Sequence, residues 1–459
     1  MHSTNAYIWG LINRFAPVGI QVISNMILAR FLCPADFGTI GVLNIFMAIA
    51  SALIDSGLGG SLIKEKTVSK IDCQTIATFN LVSSCLLYLL ICLGADSIES
   101  FYGIADLSII TKLISLTFII NAIGIVPKAI MAKDLKFKEL CNIAIVSVLI
   151  GSLISIILAV NGWGIYSLVV YPIINSIVNT LISMFVCHYR FSIGFSMQSF
   201  KKLVPFGIYT SFTTIVDTAY ENLLTSLTGK YLSVIQAGYL TQAKKIEEGL
   251  TTSVASAIGN VSFPILTQLK DEINVFKKEA NSLLLNLSAL CFPILLIISI
   301  YSEQICTLLF GANWRDSGSY LSVLILAGIF LIQETLIRSF IKSLCAVKSL
   351  FKLTLYKRTI CIAVIIISLI VNPVWILYGY VLSTFIGLIF NMILYTRLVH
   401  ENFFVQILKV ESALIPALLL CFMALVVKKI IYDEVLALVV NGVLICIYYI
   451  IFLIVIRKR

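Results

Sequence analysis

Charged side chains inside a long apolar stretch are the part of this sequence best suited to chemistry. The stretch that begins at Ile235 contains Lys244, Lys245, Glu247 and Glu248. On a helix, residues three or four apart share a face, so Lys244 can pair with either glutamate and Lys245 with Glu248. Adjacent lysines point about 100° apart, so at least one of them faces something other than its local partner. The pattern favours a helix that lines water or a charged ligand, with pairing inside the helix as the alternative.

Two carboxylates lie four residues apart in the preceding apolar stretch. Asp217 and Glu221 would share one helix face, where their negative charges repel each other. One of them would then hold a proton, or both would share a cation. The sharper hypothesis is a proton or sodium site, and the alternative is neutralisation by a lysine of the next helix.

Further charges fall inside other apolar stretches. Arg14 and Asp55 lie on the first two stretches at similar depth, where they either neutralise each other or line a cavity. Glu334 and Arg338 are four residues apart, which favours a structural ion pair, and Arg338 is a weaker candidate for a cavity lining. The cysteines contain no Cys-x-x-Cys pair and the three histidines are isolated. We therefore expect no metal site, no cofactor and no set of catalytic residues.

The composition requires that most of the chain lies in lipid or against other buried helices. Hydrophobic residues make up 59% of the 459 residues and charged residues only 12%, whereas soluble domains carry about 25% charged residues. This excludes a soluble enzyme, a disordered chain and a secreted disulfide scaffold. Unpaired strands are too costly in lipid, and the stretches lack the alternation of barrel strands, so we predict an all-α polytopic membrane protein.

About fourteen stretches approach the roughly 20 residues that one membrane-spanning helix needs. They are Ala6–Leu28, Phe37–Ile63, Gln74–Gly94, Leu107–Pro127, Cys141–Val160, Trp163–Cys187, Leu203–Thr228, Ile235–Leu266, Ser282–Tyr301, Gly318–Ile341, Thr354–Val371, Val374–Thr396, Ser412–Val427 and Val435–Ile456. Lysine and arginine concentrate on alternate loops, including Lys342 to Arg358, which predicts that both termini are cytoplasmic. The net charge of +10 is then mainly a topology signal facing anionic lipid, and no nucleic-acid partner is expected. All loops are short, which argues against an active site in an extramembrane domain.

An internal repeat emerges at an offset of 200 residues. Arg30-Phe-Leu32 then aligns with Lys230-Tyr-Leu232, and Gly38 aligns with Gly238. Two similar six-helix lobes around a central cavity are a common plan for transporters. We predict an N-terminal lobe over 1–190, a C-terminal lobe over 201–397, and two additional helices over 398–459. The lobes would rock about the loop Arg190–Lys202.

The two stretches Leu28–Gly38 (LARFLCPADFG) and Leu53–Ile63 (LIDSGLGGSLI) resemble the opening of Wzx-type polysaccharide transporters, within the multidrug/oligosaccharidyl-lipid/polysaccharide exporter superfamily. Further pieces fit in order, up to about Val347. They are Phe101-Tyr-Gly103, Gly124-Ile-Val-Pro-Lys128, Asp134-Leu-Lys-Phe-Lys138, Gly162-Trp-Gly-Ile-Tyr166, Ala237-Gly-Tyr239, Phe263-Pro-Ile-Leu266 and Leu308-Leu-Phe-Gly-Ala-Asn-Trp314. The final two stretches carry little information.

The resemblance implies a flippase of the bacterial inner membrane. Such proteins move undecaprenyl-pyrophosphate-linked oligosaccharides across the cytoplasmic membrane for O-antigen, capsule or exopolysaccharide assembly, by alternating access. Membrane lipids, and a polysaccharide polymerase with its chain-length regulator, would be its partners. The candidates for binding the anionic substrate are Arg14, Lys244, Lys245 and Arg338. The candidates for binding a coupling proton or sodium ion are Asp217, Glu221, Glu248 and Asp55.

Three alternatives remain open at this point. A drug or cation antiporter of the same superfamily fits poorly, because its mainly cationic ligands would meet lysines. A membrane-embedded polymerase or glycosyltransferase needs acids or bases in a sizeable outside loop. A scaffold for assembly proteins would need no charges at the middle of the membrane.

Overall fold

The computed structural model describes residues 2–55, 60–62, 65, 68–411, 414–431 and 440–450. Within these ranges it describes no side chains for 2–15, 55, 202–213, 347–348 and 409–411. The helices are α1 (His2–Phe31), α2 (Pro34–Asp55), α3 (Lys70–Tyr102), α4 (Leu107–Lys133), α5 (Phe137–Val160), α6 (Tyr166–Val186), α7 (Met197–Tyr231), α8 (Val234–Leu250), α9 (Thr252–Gln268), α10 (Ile273–Ile300), α11 (Ser302–Phe310), α12 (Ser317–Ser343), α13 (Val347–Val371), α14 (Ile376–Leu398), α15 (Phe403–Glu411), α16 (Leu414–Ile430) and α17 (Val440–Ile450).

The prediction of an all-α polytopic membrane protein is confirmed. Each of the fourteen predicted stretches overlaps a helix, and within the described ranges ten helical segments are long and apolar enough to cross a membrane. The stretch that was predicted as one helix from Ile235 is two, because α8 ends at Leu250 and α9 begins at Thr252. The short helices α11 and α15 fall in segments that the sequence analysis assigned to loops.

The distribution of side chains explains how the helices pack. Large apolar residues such as Leu93 and Phe185 are 80% and 82% exposed, whereas Ser84, Ser147 and Ser155 are fully buried. Lipid tails are as apolar as leucine, so helices in a membrane associate through close contact of small residues and through hydrogen bonds instead. The serine-rich faces therefore point inward and the leucine-rich faces outward.

The chain separates into two compact units, Met1–Thr241 and Gln242–Arg459. In the first unit, α5 packs against α1 and α6, α4 against α3 and α6, and α2 against α7. In the second unit, α12 is central and contacts α9, α10, α11 and α14. The boundary between these two units lies within α8, because α7 packs on α2. The six-helix lobes themselves stay a prediction.

The first unit contains a close contact between the two sequences that repeat. Helix α1 ends at Phe31 and α2 begins at Pro34, while α7 ends at Tyr231 and α8 begins at Val234, so the helix boundaries also differ by 200 residues. A Cβ on Gly38 would lie 1.8 Å from the carbonyl oxygen of Val234, and one on Gly238 would lie 1.8 Å from that of Pro34. These reciprocal contacts are those expected where a two-fold axis relates α2 to α8.

Candidate functional site

The charged residues of α8 have different surroundings. The Nζ of Lys244 lies 3.5 Å from Oε1 of Glu248, and the side chains of these two residues are 11% and 48% exposed. The predicted pair four residues apart is therefore confirmed. Lys245 is exposed while Lys244 is buried, which confirms that the adjacent lysines face different ways. Glu248 is thus a half-exposed partner of the buried Lys244.

Glu247 is the most deeply placed charge of this group. Its side chain is fully buried, and its Oε1 lies 2.6 Å from the hydroxyl of Thr251. The same hydroxyl lies 2.8 Å from the backbone carbonyl oxygen of Glu247. Glu247 also contacts α12, because a Cβ on Gly328 would lie 3.2 Å from its Oε1. The other carboxylate oxygen, Oε2, is buried and has no hydrogen-bond partner in the described part of the chain.

A second charged cluster joins α12, α13 and α14. The Nζ of Lys357 donates a hydrogen bond of 2.5 Å to Oε1 of Glu334 and lies 3.4 Å from the side-chain oxygen of Asn391. The side chains of Lys357 and Glu334 are 0% and 5% exposed. Arg358 and Arg338 lie close enough to interact electrostatically with the Glu334 carboxylate. The result is one buried carboxylate surrounded by three cations.

This cluster corrects the sequence analysis in one respect. Lys357 and Arg358 were assigned to a positively charged loop, but α13 begins at Val347 and both residues are buried within it. The carboxylate of Glu334 gives Lys357 a hydrogen-bonded partner, which is the condition under which a lysine is tolerated inside a helix bundle. Glu334 was expected to pair with Arg338, which lies close enough to interact with its carboxylate electrostatically, and the carboxylate also accepts a hydrogen bond from Lys357. The sequence did contain one signal for this buried polar cluster, which is the polar residue Asn391 within an apolar stretch.

The remaining predicted residues lie on α1, α2, α7 and α12. Asp217 is half-buried and Glu221 is exposed on α7, and each has an interaction partner. Arg338 is half-buried on α12. Arg14 belongs to α1 and Asp55 ends α2, but their side chains lie outside the described residues. The assignment of these residues to substrate or ion binding stays a prediction.

The first unit contains a cavity that the sequence analysis did not predict. Its volume is about 260 Å³ and it lies between α2 and α4. The lining residues are Ser51, Ile54, Phe118, Asn121, Ile125 and Lys128. An ammonium, a hydroxyl and an amide beside apolar side chains form a set of groups suited to a ligand with an anionic part. Lys128 was assigned to a loop, although it ends one of the motifs on which the resemblance rests.

Known proteins are similar to this chain in both sequence and fold. Residues 27–319 match the model of a family described as polysaccharide biosynthesis protein. The chain is 24% identical over 363 residues to the lipopolysaccharide biosynthesis protein WzxC of Escherichia coli (strain K12). This alignment covers 78% of this chain and 74% of WzxC. It is 22% identical over 324 residues to the succinoglycan biosynthesis transport protein ExoT of Rhizobium meliloti (strain 1021). This second alignment covers 70% of this chain and 65% of ExoT.

Among solved structures, the lipid II flippase MurJ in an inward closed conformation superposes with a TM-score of 0.76. The sequences are 15% identical, and the superposition covers 97% of this chain and 98% of MurJ. This likeness shows a shared fold. Because the family match extends over more than half of the sequence, the chain belongs to the polysaccharide biosynthesis protein family.

Proposed function

We propose that this protein is a flippase that moves undecaprenyl-pyrophosphate-linked oligosaccharide units from the inner to the outer leaflet of the bacterial cytoplasmic membrane. The units would serve O-antigen, capsule or exopolysaccharide assembly. The observation that carries the proposal is that the family match over residues 27–319 includes α8 with its group of intramembrane charges. The names of WzxC and ExoT and the fold shared with MurJ support it.

Alternating access is the mechanism that this arrangement favours. Arg14, Lys244, Lys245 and Arg338 would attract the pyrophosphate, while the polyprenyl chain stays in lipid. A proton or sodium ion on Asp217, Glu221, Glu248 or Asp55 would drive transport only if it binds the inward-open and outward-open states with different affinity. The protein would act as a secondary transporter that catalyses no bond-making step. Both termini would be cytoplasmic, and a polymerase with its chain-length regulator would receive the product.

The first test removes single charges from α8. We expect Lys244→Gln and Lys245→Gln to slow translocation at least ten-fold, because loss of one charge-assisted hydrogen bond to a phosphate costs about 1.5–3 kcal/mol. Translocation is measured in proteoliposomes, with a polyprenyl pyrophosphate that carries one fluorescent sugar as the probe. Lys112→Gln is the matched control, because Lys112 is exposed and paired with Asp96 at 3.2 Å. Wild-type rates in both α8 variants would remove these lysines from the substrate path.

A second test separates a flippase from a polymerase or glycosyltransferase. Deletion of the gene should leave complete lipid-linked repeat units on the inner leaflet, since synthesis of the unit precedes its translocation. Loss of a polymerase would still export single units to the outer leaflet. Export of single units by the deletion strain would therefore contradict the proposed flippase.

A further inference from the structure

Glu247 is a fully buried carboxylate whose hydrogen bonds are incomplete for an ionised group. Its Oε1 has the hydroxyl of Thr251 at 2.6 Å, and its Oε2 has no hydrogen-bond partner among the residues that the structure describes. An ionised carboxylate accepts hydrogen bonds at both oxygens and is costly to bury without them. A protonated carboxyl group carries no net charge, so its burial in this position is far less costly.

The geometry of Thr251 also favours the protonated form. Its hydroxyl has one proton but lies within hydrogen-bond distance of two acceptors, the backbone carbonyl oxygen and Oε1 of Glu247. If the hydroxyl donates to the carbonyl oxygen, the contact with Oε1 is satisfied only when the carboxyl group donates its own proton to the hydroxyl oxygen. Both short contacts are therefore hydrogen bonds at once when Glu247 is protonated. Loss of that proton requires the Thr251 hydroxyl to turn from the carbonyl oxygen to the carboxylate.

Two charges that act on Glu247 lie on its own helix. Lys244 and Glu248 act on it electrostatically and with opposite sign. Helix α9 contains no charged residue, and α12 presents Gly328 to Glu247. The carboxylate of Glu334 on α12 is hydrogen bonded to Lys357 of α13. Among the described residues of the second unit, the carboxylate that acts on Glu247 is that of Glu248, which is already paired with Lys244 and so is not available to complete a sodium cage with Glu247.

The position of Glu247 connects its protonation to the backbone. Thr251 separates α8 from α9 and has φ −111° and ψ −82°, well away from the α-helical values of about −63° and −42°. Interrupted membrane helices of this kind occur at the ion and substrate sites of transporters, where the free backbone groups take part in binding. A change in the direction of the Thr251 hydroxyl alters the hydrogen bonding of the carbonyl one turn before the break. The break is therefore sensitive to the proton on Glu247.

We infer that Glu247 is the proton-binding residue that couples the proton gradient to transport, with Thr251 as its positioning residue. This inference rests on the proposed function and changes the choice of coupling group, since Glu248 beside it is half-exposed and paired with Lys244. The coupling ion is then the proton. Glu247 binds it in the state described here and releases it when the segment around Thr251 rearranges.

The proton itself is measured by difference infrared spectroscopy on the purified protein in lipid, which needs no substrate. We expect the wild type to show the carbonyl band of a buried, protonated carboxylic acid that disappears as the pH rises, and Glu247→Gln to lack this band. Thr251→Val should move its midpoint to higher pH, because the ionised form loses more than the neutral form when the hydroxyl is removed. Glu303→Gln is the control, since Glu303 is half-exposed and paired with Arg315; it should keep the band. A wild type without the band, or a band that persists in Glu247→Gln, would overturn the inference.

Coupling is measured in proteoliposomes with the fluorescent-sugar polyprenyl pyrophosphate. With a pH gradient, the wild type should accumulate the probe on one leaflet, whereas Glu247→Gln should only equilibrate it at a rate that the gradient does not change. If Glu247→Gln still accumulates the probe in response to the gradient, the coupling role is lost while the flippase proposal stands. If the wild type does not move the probe at all, the flippase proposal and the coupling role both fail, and the infrared band then reports a buried acid without a transport role.

Discussion

Glu334→Gln should destabilise the protein by about 3–5 kcal/mol, because removal of one partner from a buried ion pair leaves the other uncompensated. Here the substitution removes the charge of the carboxylate to which the fully buried Lys357 is hydrogen bonded and with which Arg358 and Arg338 interact electrostatically. The expected result is a strong loss of monodisperse protein in detergent and a lower midpoint of thermal unfolding. Size-exclusion chromatography of heated samples measures both.

The double variant Glu334→Gln/Lys357→Met tests the same explanation. Replacement of a buried pair by uncharged groups of similar size is often close to neutral, so the double variant should be more stable than Glu334→Gln alone. Asp96→Asn is the control, because the exposed pair of Asp96 and Lys112 is worth about 0–1 kcal/mol. A Glu334→Gln protein as stable as the Asp96→Asn protein would show that the buried cluster does not depend on its carboxylate.

Alanine at Gly38 or Gly238 should destabilise the first unit by about 1–3 kcal/mol, the usual cost of extra volume in a tightly packed region. The new Cβ would lie 1.8 Å from a backbone carbonyl oxygen in either case, so one of the two helices has to move. Because the contacts are reciprocal, the two substitutions should have similar effects. Thermal unfolding in detergent provides the measurement.

Glycines in open surroundings provide the controls for this prediction. A Cβ on Gly19 or Gly94 would meet no atom within 4 Å, and both lie inside helices, where alanine is favoured over glycine by about 0.5–1 kcal/mol. Gly19→Ala and Gly94→Ala should therefore be neutral or stabilising. Equal stability of Gly38→Ala and Gly94→Ala would contradict the close contact between α2 and α8.

The helices could be predicted from the sequence because hydropathy and length determine which segments cross a membrane. The Lys244–Glu248 pair was also predictable, since spacing along one helix fixes which residues meet. The burial of Lys357 was not predicted, because a lysine near the end of an apolar stretch can belong either to the helix or to the loop beside it. Only the position of Glu334 on another helix distinguishes the two. The break at Thr251 was missed although Gly249 lies two residues before it, because a single glycine is tolerated within a helix. Glu247 was considered only as a partner for lysine.

The reciprocal contact between α2 and α8 restricts how the lengths of the connecting segments can change. The connections Phe31 to Pro34 and Tyr231 to Val234 contain the same number of residues. An insertion or deletion in one of these two-residue connections would displace the start of the following helix, and its glycine would no longer face the opposite backbone. Both connections would have to change together to preserve the contact. Across homologous chains, length variation should therefore accumulate in the other loops and spare these two.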